Sequence, residues 1–214
     1  MQGISVVSVV DALATELRDR LLQGDLEPGT PVTELSLVER YGVSRPSAKA
    51  AIEQVVGEGL LVRTAHRSAR VPELGAADAR DIYRARIALE LAPVRGLAGQ
   101  RQVPAEAREA NEAIRALGES DRLAVVTPDM RFHMSLVEAY ASPRLIRAYE
   151  ALAAEVRLCM VQVQGRSLLT TAGIAAEHEQ LLQAIERGDG DEAERILTEH
   201  LHGAADRLAA ALGE

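Results

Sequence analysis

From Val6 to Leu22 apolar side chains recur at Val6, Val9, Val10, Leu13, Leu17 and Leu21, the spacing that lines one face of a helix. The stretch GDLEPG that follows supplies the glycines and proline that stop it. Thr33 can cap a short second helix running to Tyr41, Gly42 ends it, and Ser44 caps a third, with Pro46 tolerated in its first turn. Beyond Gly59, LLVRT and ARVP read as two short strands around the basic tip AHRS. Three helices followed by a hairpin predict a winged helix-turn-helix. From Gly75 onward the chain is rich in Ala, Leu, Glu and Arg, a helical composition. Breaks at Gly99, Pro104, Gly118, Pro143, Gly165 and Gly188 divide it into six helices, near 76–99, 104–117, 121–141, 143–164, 167–187 and 189–212, with Pro128 placed to kink the third of them. The fold class expected is mainly α: a winged helix-turn-helix over residues 1–73 and an all-α helical bundle over residues 74–214, joined between Pro72 and Ala76.

Charge narrows the partners. With 24 basic against 32 acidic residues the net charge is −8, which excludes a polybasic nucleic-acid coat, so any affinity for phosphate must come from a local patch. Aromatic residues make up 2% of the chain, too few for single-strand binding on stacked rings. No segment approaches the roughly 18 to 20 apolar residues of a membrane helix, and MQGISVVSVV lacks a basic leader. The single Cys159 fits a reducing compartment. A soluble cytoplasmic protein without membrane contact is expected.

The local patch lies in the third helix and the hairpin. Ser44, Arg45, Ser47 and Lys49 stand at the start of that helix, while Ile52, Val55 and Val56 form its apolar face. Arg45 can donate bidentately to a guanine edge, the serines can reach phosphate or base, and Lys49 adds charge. Across residues 44–70 five basic residues (Arg45, Lys49, Arg63, Arg67, Arg70) face two acidic ones (Glu53, Glu58), a local net of +3 within an acidic chain. The run GDLEPG followed by ELSLVERYGVSRPSAKAAIEQVVGEGLLVRTAHRSARV resembles the N-terminal domain of GntR-family bacterial transcription regulators over roughly residues 8–73. That resemblance implies that the helix from Ser44 enters the major groove of double-stranded DNA and that His66 and Arg67 at the wing tip lie along the minor groove. Two positions depart from the family pattern: Lys49 stands where arginine is usual, losing the planar fork, and Ser68 where the wing tip usually has glycine.

The helical half carries a second constellation. Asp129 and His133, four residues apart, project from one helix face, and His178 and His200 each sit in a later helix among helix-spaced apolar residues. Three imidazoles and a carboxylate suit a divalent cation, zinc foremost, with nickel, manganese or iron as alternatives. His202, two residues beyond His200, turns to another face and is left out. The segments DIYRARIALELAPVRGLA, DMRFHMSLVEAYASPRL and EHEQLLQAIERGDGDEAERILTEHL are similar in order and spacing to the effector domain of the FadR subfamily, the FCD domain. The resemblance implies that Asp129, His133, His178 and His200 hold the ion, and that Arg86 faces the pocket and pairs with a small organic acid. A salt bridge from Arg86 to Glu90, one turn on, is the plainer alternative. The asparagine common in the family after the Asp/His helix is replaced in AYASPRL. The expected function is a ligand-responsive transcription regulator, a repressor acting as a homodimer on a palindromic operator and controlled by a metal-bound carboxylate. A metal sensor without an organic effector is the runner-up. A metal-dependent hydrolase using Glu177 or Glu179 as base has no supporting nucleophile motif.

Overall fold

The computed structural model describes residues 8–63, 67–117, 124–163 and 170–213. They form two compact units, Met1–Glu73 and Leu74–Glu214.

In the first unit α1 (Val9–Gln23) begins where the Ser8 hydroxyl accepts from the Asp11 amide and ends at Gly24 in the left-handed region. Helix α2 (Glu34–Tyr41) opens with a reciprocal capping box between Thr33 and Ser36, and Gly42, at φ 66°, closes it. That positive φ turns the chain into α3 (Arg45–Gly57), capped by Ser44 with Pro46 in the first turn. Leu13, Leu17 and Leu21 of α1 pack with Leu37, Ala48, Ile52 and Val55 into one fully buried core. The Arg18 guanidinium reaches Glu58, just past the end of α3, at 2.6 Å.

Of the wing hairpin expected, residues 64–66 at the tip lie outside the described residues. Among the described residues its returning arm is β2 (Ala69–Arg70), and Val62 of the outgoing arm meets Arg70 in an antiparallel bridge. The longer pairing of β2 is with β1 (Pro31–Val32), in the register Pro31 to Arg70 and Val32 to Ala69. Two residues are too few to show a period, so β1 leaves no trace in the hydrophobic pattern. It ties the loop before α2 to the base of the wing.

In the second unit the described helices are α4 (Ala76–Gln100), α5 (Ala105–Ala116), α6 (Val126–Ala139), α7 (Pro143–Gln162), α8 (Thr171–Arg187) and α9 (Gly190–Leu212). The third bundle helix, expected from residue 121, begins at Val126, which puts Pro128 in its first turn, where a missing amide proton costs nothing. The longest packing partners are α4 and α9, and small side chains such as Ala79, Ala98, Ala193, Ala205 and Ala209 let helices approach closely in the core. Phe132, Leu136, Leu181, Leu182, Leu197 and Leu201 fill the space between. Gly96 of α4 accommodates the Tyr140 ring, because a Cβ there would lie 2.7 Å from a ring carbon.

After α6 the chain turns through Ala141 at φ 58°, the left-handed region that a β-carbon makes costly by roughly 1–2 kcal/mol. Ala141→Gly is therefore expected to raise the unfolding free energy of the helical unit by about 1 kcal/mol in a urea titration, less whatever entropy glycine adds to the unfolded chain.

Candidate functional site

Helix α3 carries the residues expected to read DNA. Arg45 and Lys49 lie one turn apart and exposed, opposite the buried Ala48, Ala51, Ile52 and Val55. The hydroxyls of Ser44 and Ser47 lie 2.8 Å apart, and Ser44 also accepts the Ser47 amide, so both serines serve the helix cap. The basic patch is narrower than the charge count suggests. Arg63 is paired with Glu53 at 2.5 Å, and Arg70 donates to the Gly29 carbonyl at 2.9 Å. Arg67 is exposed on the wing, while His66 lies outside the described residues.

In the helical unit Asp129 and His133 of α6, His178 of α8 and His200 of α9 are all buried, and their ligand atoms lie within 4.8 Å of one another. The His178 Nε2 atom sits 3.4 Å from His200 Nε2 and 3.6 Å from Asp129 Oδ1. Ligand atoms bound at about 2.1 Å to one cation are about 3.0–4.2 Å apart, so small side-chain shifts close this set on an ion.

The protonation states suit ligation. The His133 Nδ1 atom meets Glu90 Oε2 at 2.6 Å, and its Nε2 atom, buried beside the other three ligands, has no hydrogen-bond partner. The Nδ1 atom of His200 meets Glu177 Oε2, also at 2.6 Å, leaving Nε2 toward the cluster. His178 is held differently: its ring stacks on Phe132 at 3.7 Å between centroids. Burial, reinforced by the neighbouring His200, His133 and Arg86, holds His178 well below the usual imidazole range. Burial likewise lowers His133, although Glu90 pulls the other way. Both shifts favour the neutral imidazole, the form that binds a metal.

Glu90 is the residue around which this site is arranged. Fully buried in α4, it accepts from Arg86 Nε at 3.0 Å and from the Tyr149 hydroxyl at 2.8 Å through one oxygen, and contacts His133 through the other. Burial alone would raise its carboxyl, but His133 and Arg86 together with the hydrogen bonds hold it down to about 2. Arg86 makes the salt bridge to Glu90 and still leaves its buried Nη2 without a partner, while the Tyr83 ring lies 4.8 Å from its guanidinium carbon. Sequence spacing indicates the Arg86–Glu90 pair but not Tyr149, whose partner lies 59 residues away in the chain. It also gives no sign that Glu177 serves His200.

Comparison with known proteins places this geometry in a family. Residues 10–71 match the family model of bacterial regulatory proteins, gntR family, and residues 81–203 match the FCD domain. The chain is 30% identical over 200 residues, 88% of its own length and 85% of the relative's, to the "Probable D-xylose utilization operon transcriptional repressor" of Paenarthrobacter nicotinovorans. Among solved structures it resembles a GntR-type regulator from Rhodococcus sp. RHA1 with a TM-score of 0.82 at 21% identity, covering 95% of this chain and 99% of that one. McbR/YncC of E. coli follows at a TM-score of 0.71 and 23% identity, with 92% and 95% of the two chains covered. The matched family model is one of regulatory proteins and the Paenarthrobacter relative is named as a transcriptional repressor, which removes the hydrolase alternative. No helix among the described residues is long and apolar enough to cross a membrane.

Two substitutions probe the two faces. Arg45→Ala is expected to weaken binding to operator DNA selected with the wild-type protein by about 1–3 kcal/mol in a gel-shift titration, without changing the melting temperature. His178→Ala should lower zinc affinity, read by calorimetry and metal analysis, by more than the roughly 10–100-fold that loss of an outer partner costs; an unchanged metal content would remove His178 from the ligand set. The chain belongs to the GntR family of bacterial regulatory proteins, with an FCD domain behind its DNA-binding head, and is a DNA-binding transcription regulator.

Proposed function

We propose that this regulator is a cytoplasmic, dimeric repressor whose helical unit binds a divalent cation through Asp129, His133, His178 and His200, and a small carboxylate on that cation. The observation that carries the reading is the buried convergence of these four side chains from α6, α8 and α9. The buried imidazole nitrogen of His133 without a partner supports a cation as its missing neighbour. Zinc suits the donor set best, with nickel, manganese or iron as alternatives. A cation held in a helical interior attracts an anion, because little water competes with it there. The partnerless Nη2 of Arg86 supports a contact to the same acid.

Repression is suggested by the name of the Paenarthrobacter relative, which also points to the chemistry of sugars. An aldonic acid would satisfy both indications, since its carboxylate and adjacent hydroxyl can chelate a cation together. A twofold dimer presents two α3 helices to a palindromic operator, and Arg45, Lys49, Arg67 and His66, with the capped Ser44 and Ser47, form the contact of each. The acid acts by favouring one packing of the helical unit over another, and the change passes to the DNA-binding head through the segment around Pro72.

Thermal unfolding against a panel of organic acids, D-xylose and its aldonic acid, with and without chelator, tests the reading. One class should raise the melting temperature by several degrees at about 100 times its dissociation constant, where stabilisation is about 2.7 kcal/mol, and chelation should abolish the shift. If chelator changes operator binding while every acid leaves the melting curve unmoved, the protein senses the metal itself.

A further inference from the structure

We infer that Glu90, which does not itself touch the ion, is the positioning residue of the metal centre: it fixes the tautomer and orientation of His133 and holds Arg86 and Tyr149 around the same carboxylate. The inference rests on the metal reading above and concerns how this chain prepares the site.

Three donors from three helices converge on the two oxygens of Glu90: Arg86 Nε from α4, the Tyr149 hydroxyl from α7, and His133 Nδ1 from α6. Glu90 and His133 are both 0% exposed, so water cannot replace a lost contact. An ionised carboxylate only accepts hydrogen bonds, so the ring nitrogen that meets it, His133 Nδ1, carries a proton and Nε2 is the atom left to supply a lone pair. That Nε2 is the atom without a hydrogen-bond partner. The same carboxylate raises the basicity of the imidazole toward a cation.

An ion pair that served only to neutralise Arg86 would not require the imidazole. Yet the contact to His133, at 2.6 Å, is the shortest of the three that Glu90 makes. The contrast with His200 sharpens the point. Its outer carboxylate, Glu177, is 39% exposed, so solvent can take over part of its role. Glu90 has no such substitute.

The proposal makes a specific statement about Glu90→Gln. The amide is nearly isosteric, and with its oxygen kept by Arg86 and Tyr149 it turns its NH2 group toward His133. That group donates, so Nδ1 must accept and the proton moves to Nε2, the atom needed by the metal. Nitrogen-15 NMR of histidine-labelled, metal-free wild-type protein is expected to show His133 as the Nδ1–H tautomer, and the variant as Nε2–H. In parallel, Co(II) is titrated into both proteins, read by its visible d–d absorption, with zinc affinity obtained by competition. The variant should bind about 10–100-fold more weakly, and Glu177→Gln less than tenfold more weakly.

The outcomes separate. If wild-type protein binds neither Co(II) nor zinc, the metal reading fails and the role of Glu90 falls with it. If wild-type protein binds but Glu90→Gln binds equally well while melting lower, Glu90 is only an internal tie between helices. An Nε2–H tautomer of His133 in the wild-type protein overturns the proposal without any variant, and so stands even if Glu90→Gln does not fold.

Discussion

A carboxylate withdrawn from water into a helical bundle is stable only if donors inside the protein replace its hydration, and Glu90 meets that condition with an arginine, a tyrosine and a histidine. The constraint reaches outward. Because α4, α6 and α7 each contribute to one ion-sized cluster, their relative positions along the bundle axis are fixed by directional contacts, whereas the surrounding alanines and leucines set only their separation. Arg86, buried and positively charged, depends on the same carboxylate for its partner. Burial disfavours the charged form of His133 and His178 beside that arginine, and the neutral imidazole is the form that binds a cation.

Most helices were legible because their causes are local. Ser8, Thr33, Ser44, Ser142, Thr170 and Asp189 cap helices from positions where their side chains reach the first-turn amides, and Gly24, Gly42 and Gly188 end helices in the conformation glycine tolerates best. What was not legible depends on partners distant in the chain. Strand β1 exists because Arg70 and Ala69 return to Pro31 and Val32. The site divides in the same way. Asp129 and His133 announce themselves by a helical interval, His178 and His200 join them through family likeness, and Tyr149 and Glu177 enter only when the helices are packed.

The DNA-binding unit shows how far a charge count can mislead. Two of the five cations in the segment from Ser44 to Arg70 are turned to internal use, Arg63 on Glu53 and Arg70 on a backbone carbonyl. All five are exposed on the unit, but those two are already engaged. The net charge of the whole chain, −8, repels DNA, so attraction to phosphate must come from such a local patch.

Helix α4 adds a mechanical consequence. Glu90 lies fourteen residues beyond Ala76, where the helix starts just after the boundary between the two units. At 1.5 Å per residue that is about 21 Å of continuous helix, so a tilt of about 5° pivoting at Glu90 carries the first turn through about 2 Å. A single continuous helix spans that distance, so a rotation about Glu90 would reach its first turn enlarged in proportion to the length of the arm.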